Sequence, residues 1–531
     1  MKSIPRIALT FAVLVLTHSA VFAQGERLGE VSFPVSCNAE ASKRFQRAAA
    51  LYHSFDWPRV TKAFQAVLEA DPQCGMAWWG IALATQDNPF VWPISAKQVA
   101  DGWAAIEKAK TIGANTQRER DYIAALEWFY KDGNTVPHRQ RALAYEKAME
   151  KIAKAYSNDI EAQVLYALAL SANFEPTDKK YTKQLMAAKL LESVFKKYPH
   201  HPGAAHYLIH SYDYPPIAAK GLDAARRYAT IAPSAPHALH MPSHIFTRVG
   251  YWKDSVESNR AAFNATKDLR TRLHALDYMT YAYLQMGQDS QARRGLDEIL
   301  KIEKVPSENQ AAAYALAAIP SRLTLERDRW AEAAALKLHP SDAVFKWTNF
   351  PNAVAVTVFA RGVGAARSGN VAGAKEELER LTTRVKPAMV TAKQNYWADQ
   401  ADIQIKIIES WIAKADGDSA GALQAARAAA KHEDSTEKHV VSPGSIIPAR
   451  ELLGDLLMEL GQPAAALKEY EASIAKEPNR FRGLYSAARA AEASGNMAKA
   501  RAWYQKFTQI AAQADDNVDQ VKRAKMFLAR R

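Results

Sequence analysis

A chain of 531 residues with 48% hydrophobic and 24% charged residues has the composition of a folded globular protein, long enough for several domains or one extended array. That balance excludes a predominantly disordered chain. The formal charge of +13 is spread over short pairs such as Lys179-Lys180, Lys196-Lys197 and Arg226-Arg227 with no RNP-like or zinc-finger signature, so nucleic acid is not an expected partner.

The chain opens with Lys2 and Arg6, an apolar run from Ile7 to Leu16, and a small-residue end at Val21-Phe22-Ala23. This is the pattern of a secretory signal peptide spanning residues 1–23. The run is shorter than the ~20 residues a membrane span needs, and no later stretch reaches that length without charge. The expectation is a periplasmic or secreted protein with no transmembrane segment once the signal is removed. Cysteine usage agrees with export: the two cysteines, Cys37 and Cys74, both lie near the expected mature N-terminus. A disulfide between them would stabilise by about 3 kcal/mol through loop closure; two unrelated buried thiols are the alternative.

From Glu40 onward apolar residues recur at helical spacings and runs of alternating β-branched residues are nearly absent, so the fold class is all-α. A longer period lies over the helical one. In the segment from Ala449 to Arg480, Leu453-Gly454, Leu457, Gly461, Ala466, Tyr470, Ser473 and Pro478 stand at the spacings of the roughly 34-residue tetratricopeptide repeat (TPR). Leu484, Ala488, Ala491, Gly495, Ala500 and Tyr504 repeat the phase. Small residues are needed where the two helices of a repeat cross closely; glycine ends the first helix and proline the second. Divergent units precede these, including Val60–Ala70 with its Asp71-Pro72 stop, Leu222–Pro236, Gly250–Ala262 and Gly287–Leu300. The expected architecture is a TPR-like right-handed helical-hairpin solenoid, with a divergent array over 24–305 that carries a histidine-rich groove and a second array over 306–531. Trp78-Trp79, Trp92 and Trp103 read as core of the first repeats. Lys431–Pro448 reads as a charged loop with His432 and His439 in solvent.

Six of the fourteen histidines lie between His206 and His274. Gly250 and Gly287 each close the first helix of a repeat, which sets the register. Relative to those glycines, His237, His240 and His244 occupy the same places as His274, Asp277 and Tyr281, and with Tyr198-Pro199 as the entry to the preceding repeat His206 and His210 match His240 and His244. Steps of three and four residues share a helix face, and in a TPR superhelix that face lines the concave groove. Imidazole is the commonest metal ligand near neutral pH, and two histidines one turn apart chelate one ion. The set His206, His210, His237, His240, His244 and His274 is therefore a candidate site for zinc or copper, with Met241 a soft neighbour suited to copper. Asp277 reads as a ligand, an orienting partner or a general base for a metal-bound water. Tyr281 reads as a groove donor to an anion. Two other readings stay open: hydrogen-bonded groove or core histidines with no metal, and a proton-sensitive peptide groove. Pro242, inside the helix of three of these histidines, removes a backbone donor and kinks that turn.

Three blocks, Asp71 to Gly80, His206 to His210 (HYLIH) and His237 to Gly250 (HALHMPSHIFTRVG), resemble a group of bacterial exported TPR proteins, and a weaker match runs from His274 to Gln288. Those relatives tend to carry a longer acidic or histidine-bearing loop after the HYLIH helix, where this chain has Tyr214-Pro215-Pro216-Ile217. The resemblance implies the fold and export rather than a reaction. A scaffold that binds a protein or peptide partner in its groove beside a histidine-rich metal site is the function expected; the competing expectation is a metal-dependent hydrolase in which Asp277 assists.

Overall fold

The computed structural model describes residues 25–305 and 308–530, so the expected signal segment lies outside the described residues. The regular elements among those residues are all helical, with no strand among them, and each long helix packs on its neighbours in sequence as a stack of helical hairpins. The all-α solenoid expected from the repeat period is what the chain builds. The small residues do what the repeat requires of them. A Cβ on Gly454 would stand 2.5 Å from the Tyr470 ring of the paired helix, so only glycine lets the helices approach this closely. Gly250 ends its helix at φ 72°, the left-handed conformation a non-glycine residue adopts at a cost. No helix among the described residues is long and apolar enough to cross a membrane. Cys37 and Cys74 form a disulfide with Cα atoms 5.2 Å apart.

Buried apolar side chains collect in two contiguous clusters, one from Leu28 to Phe246 and one from Trp252 to Phe527. The superhelix then turns back on itself. Trp252 donates its indole N–H to the Asn479 carbonyl (2.7 Å), and Asp515 accepts from Ser290. Arg480, fully buried, donates to Glu326 (2.7 Å), Glu451 (2.8 Å) and the Tyr281 hydroxyl (2.6 Å). These contacts bring the last repeats against the middle of the chain.

The segment expected to be a solvated loop is the main departure. The Ser419–Ser435 helix covers its first residues, and the remainder threads the inside of the superhelix. Lys438 donates to Asp213 (2.9 Å), Tyr278 donates to the Ser442 carbonyl (3.1 Å), and Arg322 donates to the carbonyls of Gly444 and Ser445 (3.0 and 2.7 Å). His439 packs on the Trp397 ring at 4.8 Å, and burial lowers its pKa to about 4. His432 is half-buried and paired with Asp399 at 2.8 Å. Charge marked this stretch as exposed because charged residues seldom bury unless paired; here the partners come from helices remote in sequence.

Replacing Arg480 with alanine leaves buried Glu326 without its ion-pair partner and buried Glu451 with Arg482 alone at 3.6 Å, and a cost of about 3–5 kcal/mol follows from the loss of a buried pair's partner. Differential scanning calorimetry should show a clearly lowered midpoint for Arg480→Ala, and an unchanged one for Lys97→Ala, whose partner Asp101 is exposed.

Candidate metal centre

Four helices bring the six imidazoles together. The Pro202–Tyr212 helix carries His206 and His210 one turn apart. The next histidine-bearing segment is broken: a helix ends at His240 and another starts at Pro242, because the proline nitrogen has no hydrogen to continue the ladder. His237, His240 and His244 thus sit on both sides of the interruption. From the Leu269–Gln285 helix comes His274. Ring centroids are 4.9 Å apart for His206 and His210, 5.0 Å for His206 and His237, 5.0 Å for His240 and His244, and 4.4 Å for His240 and His274. The ligand atoms close up in two sets, His206/His210/His237 and His240/His244/His274, each within 4.8 Å.

The expectation that Asp277 and Tyr281 face the same patch is not met. On a helix of 3.6 residues per turn, His274 and Tyr278 form one stripe and Asp277 and Tyr281 the adjacent one. Tyr278 is the residue beside the histidines, its ring 5.0 Å from His240 and 5.1 Å from His244. Asp277 instead pairs with Arg322 of the following long helix at 3.3 Å. Its burial raises the pKa to about 6 against the pull of Arg322. Tyr281 is engaged elsewhere: its hydroxyl accepts from Arg480 (2.6 Å) and donates to Glu477 (3.4 Å), and Arg322 stands 4.8 Å from its ring centre. Met241 is buried at the helix junction and lines the cleft over the histidines. The nearby pair His200 and His201 splits: His200 is exposed, and His201 is buried against Glu161.

Hydrogen bonds set which nitrogen of each imidazole carries the proton. The His206 Nδ1 lies 2.6 Å from the His53 carbonyl, which can only accept, so Nδ1 is the donor and the Nε2 lone pair is free. Asn259 donates its amide to the Ser255 carbonyl (2.7 Å), which turns its Oδ1 toward His240 Nδ1 at 2.6 Å. Asp213 accepts from His244 Nδ1 at 2.9 Å. His240 and His244 therefore point two Nε2 lone pairs at each other across 3.1 Å. Ligand bonds of 2.0–2.1 Å at a tetrahedral angle put two nitrogens about 3.3 Å apart, close to that spacing. In the other set, His206 Nε2, both His210 nitrogens and His237 Nε2 have no hydrogen-bond partner despite burial.

Burial keeps the rings neutral. Burial lowers the pKa of His206 and of His274 to about 3, and that of His210, His237 and His240 well below the usual value, with the neighbouring imidazoles adding to the effect. Burial opposes ionisation of Asp213 too, but Lys438, Arg248 and His244 together hold it well below the carboxylate range. Phe90 stacks on His210 at 3.9 Å and Phe55, at φ 49°, on His237 at 5.8 Å, completing an apolar rim. A cleft of about 570 Å³ opens above, floored by His210, His237, His240, His244 and His274.

A third cluster, His53, Glu161 and His201, escaped the sequence pattern because its members come from three separate repeats. Its nitrogens are all engaged: both histidines meet Glu161 (2.7 and 3.1 Å), His53 Nδ1 meets the Tyr207 hydroxyl (3.0 Å), and His201 Nδ1 accepts from the Ala204 amide (3.1 Å). This triad is a buttress that positions the His53 carbonyl behind His206. Asp213 and Asn259 were also missed. Asp213 stands three residues after His210 and was legible as a carboxylate beside the motif; Asn259 had no distinguishing signal.

Residues 452–515 match the tetratricopeptide repeat family. No curated protein matches the chain. Solved structures similar to it include human IFIT1 as a dimer with PPP-AAAA, at 11% identity and a TM-score of 0.38 over 88% of this chain and 89% of that one. Human IFIT1 with m7Gppp-AAAA stands at 12%, 0.38, 82% and 90%. A chain of the Naa15/Naa10 complex bound to HypK-THB stands at 13%, 0.24, 93% and 79%. With superpositions this loose, nothing about ligands or partners passes from those proteins to this one.

Imidazoles that are neutral when folded but protonate when unfolded make the metal-free chain acid-sensitive. For His206, the unfolded chain binds a proton between its ordinary pKa near 6.5 and about 3 that the folded chain does not. Its stabilising contribution is complete above pH 6.5 and declines below it, by about 2 kcal/mol at pH 5. The thermal midpoint of chelator-treated protein should fall between pH 7 and pH 5, and His206→Phe, which keeps a ring but cannot protonate, should flatten that fall.

Proposed function

We propose that this chain is an exported helical-repeat scaffold that holds metal at its histidine cluster and receives a protein or peptide segment in the cleft above it. The observation that carries the metal reading is the facing pair His240 Nε2 and His244 Nε2, 3.1 Å apart, with both Nδ1 protons committed elsewhere. Two lone pairs at that distance repel unless a cation lies between them. Burial disfavours a proton there, a metal ion between the two nitrogens relieves the repulsion, and outward-held Nδ1–H groups are the arrangement that orients imidazole ligands on a metal. Zinc and copper both suit an all-imidazole set; the buried thioether of Met241 at the same cleft favours copper.

Support for the scaffold is the repeat architecture, which presents an extended concave surface to partners. The cleft, lined by Trp57, Arg59, Asp87, Arg270 and Val441 beside the histidines, offers mixed apolar and charged contacts to a peptide. Support for export is the amino-terminal Lys2/Arg6, Ile7–Leu16 and Val21-Phe22-Ala23 pattern, together with the Cys37–Cys74 disulfide, a bond that persists in oxidising compartments. A hydrolase with Asp277 as base has less support, because that carboxylate is engaged by Arg322.

Elemental analysis after expression in medium replete with zinc, copper, iron and manganese should find stoichiometric metal in the purified mature chain, and no metal above background would end the reading. Asp213→Asn weakens the orientation of His244, and a loss of about 10- to 100-fold in metal affinity is expected from such outer-shell changes; competition with a chelating dye measures it.

A further inference from the structure

The two sets of imidazoles are not one large site. We infer that each set holds its own ion, so that the chain carries a dinuclear all-histidine centre whose two ions face a common cleft. The inference rests on the metal reading above and goes beyond it in number and arrangement. Within a set the three ligand atoms lie within 4.8 Å of one another. Ring centroids alone do not divide the sets, since His237–His240 and His210–His244 stand at 5.9 and 6.0 Å and His244–His274 within one set at 6.4 Å; the ligand atoms do, closing up as these two separate triplets. Each set has three nitrogen donors, the number that leaves a fourth tetrahedral position open on a metal such as zinc. Five of the six histidines floor the same cleft, so the open positions of both ions address one space of about 570 Å³.

The orphaned nitrogens fall in both sets, which a single ion does not explain. His240 and His244 oppose their lone pairs in one set. In the other, His206 Nε2, His210 and His237 Nε2 are buried without a partner, although a buried polar atom left unpaired costs free energy. The fully partnered triad of His53, Glu161 and His201 shows what the same residue types look like in a purely structural role in this fold. The ligand class follows from the donors: neutral imidazoles suit first-row transition ions of nitrogen preference, zinc or copper. The protein supplies little negative charge to offset them, since Asp213 is already paired with Arg248 and Lys438. The open positions are thus set to take small anionic or neutral donors from the cleft.

Native mass spectrometry of the mature chain counts the ions directly after loading with zinc sulfate, or with copper(I) under argon, and removing excess by gel filtration. Two ions on the folded chain for either metal is the expected result. His237→Gln and His274→Gln, which alter half-buried cleft residues and spare the hydrogen-bonded interior, should each reduce the count by one. A single ion with both metals would overturn the dinuclear inference while leaving the metal reading intact, as would loss of all metal from either variant. No ion with either metal would overturn both.

Discussion

The carboxylate of Asp213 joins the parts of this molecule that the candidate centre needs. It lies just beyond the Pro202–Tyr212 helix, accepts from His244 Nδ1 and Arg248 Nε on the Pro242–Val249 helix, and receives Lys438 from the inner segment that returns from the C-terminal half. Arg248 donates as well to the Asp213 backbone carbonyl, so the loop and the helix are held together at two points. A buried carboxylate is tolerable only when paired and hydrogen-bonded, and here two partners come from the Pro242–Val249 helix and the third from the inner segment. One side chain thereby selects the tautomer of His244, fixes the loop after the HYLIH motif and closes the superhelix over the cluster.

The histidine cluster inverts the usual rule for interiors. Buried polar atoms are normally satisfied, and a half-satisfied network is less stable than an apolar one. This chain satisfies the Nδ1 atoms of His206, His240 and His244, through the His53 carbonyl, Asn259 and Asp213, and leaves His206 Nε2, His237 Nε2 and both nitrogens of His210 bare. It does so at the floor of a cleft, beneath an aromatic rim of Phe55 and Phe90. Departures from local consistency of this kind concentrate where function demands them. The break at Met241-Pro242 belongs to the same pattern, since an uninterrupted helix would carry His237 and His244 on one straight stripe.

Much of this was legible in the sequence, and the physical reason is periodicity. The repeat period and the glycine-anchored register put His206, His210, His237, His240, His244 and His274 on facing helices, and a helix face depends only on spacing. Register failed for Asp277 and Tyr281 because homologous positions on successive helices need not meet the same neighbour once the superhelix twists; Tyr278 took the place expected of Asp277. The inner course of residues 436–448 was not legible at all. Lys438, His439 and Ser442 look like loop residues until their partners Asp213, Trp397 and Tyr278 arrive from distant repeats. Long-range closure of a solenoid leaves little trace in a local pattern.

The central claim is that bare Nε2 lone pairs, held inward by partners on Nδ1, hold metal. X-ray diffraction from crystals of zinc-loaded protein, with data collected on both sides of the zinc absorption edge, tests it most directly. The account predicts an anomalous peak about 2.0–2.1 Å from the Nε2 atoms of His240 and His244, the usual zinc–imidazole distance, with Nδ1 of each still on Asn259 and Asp213. Zinc confined to surface residues, with those two Nε2 atoms still facing each other directly, would contradict it.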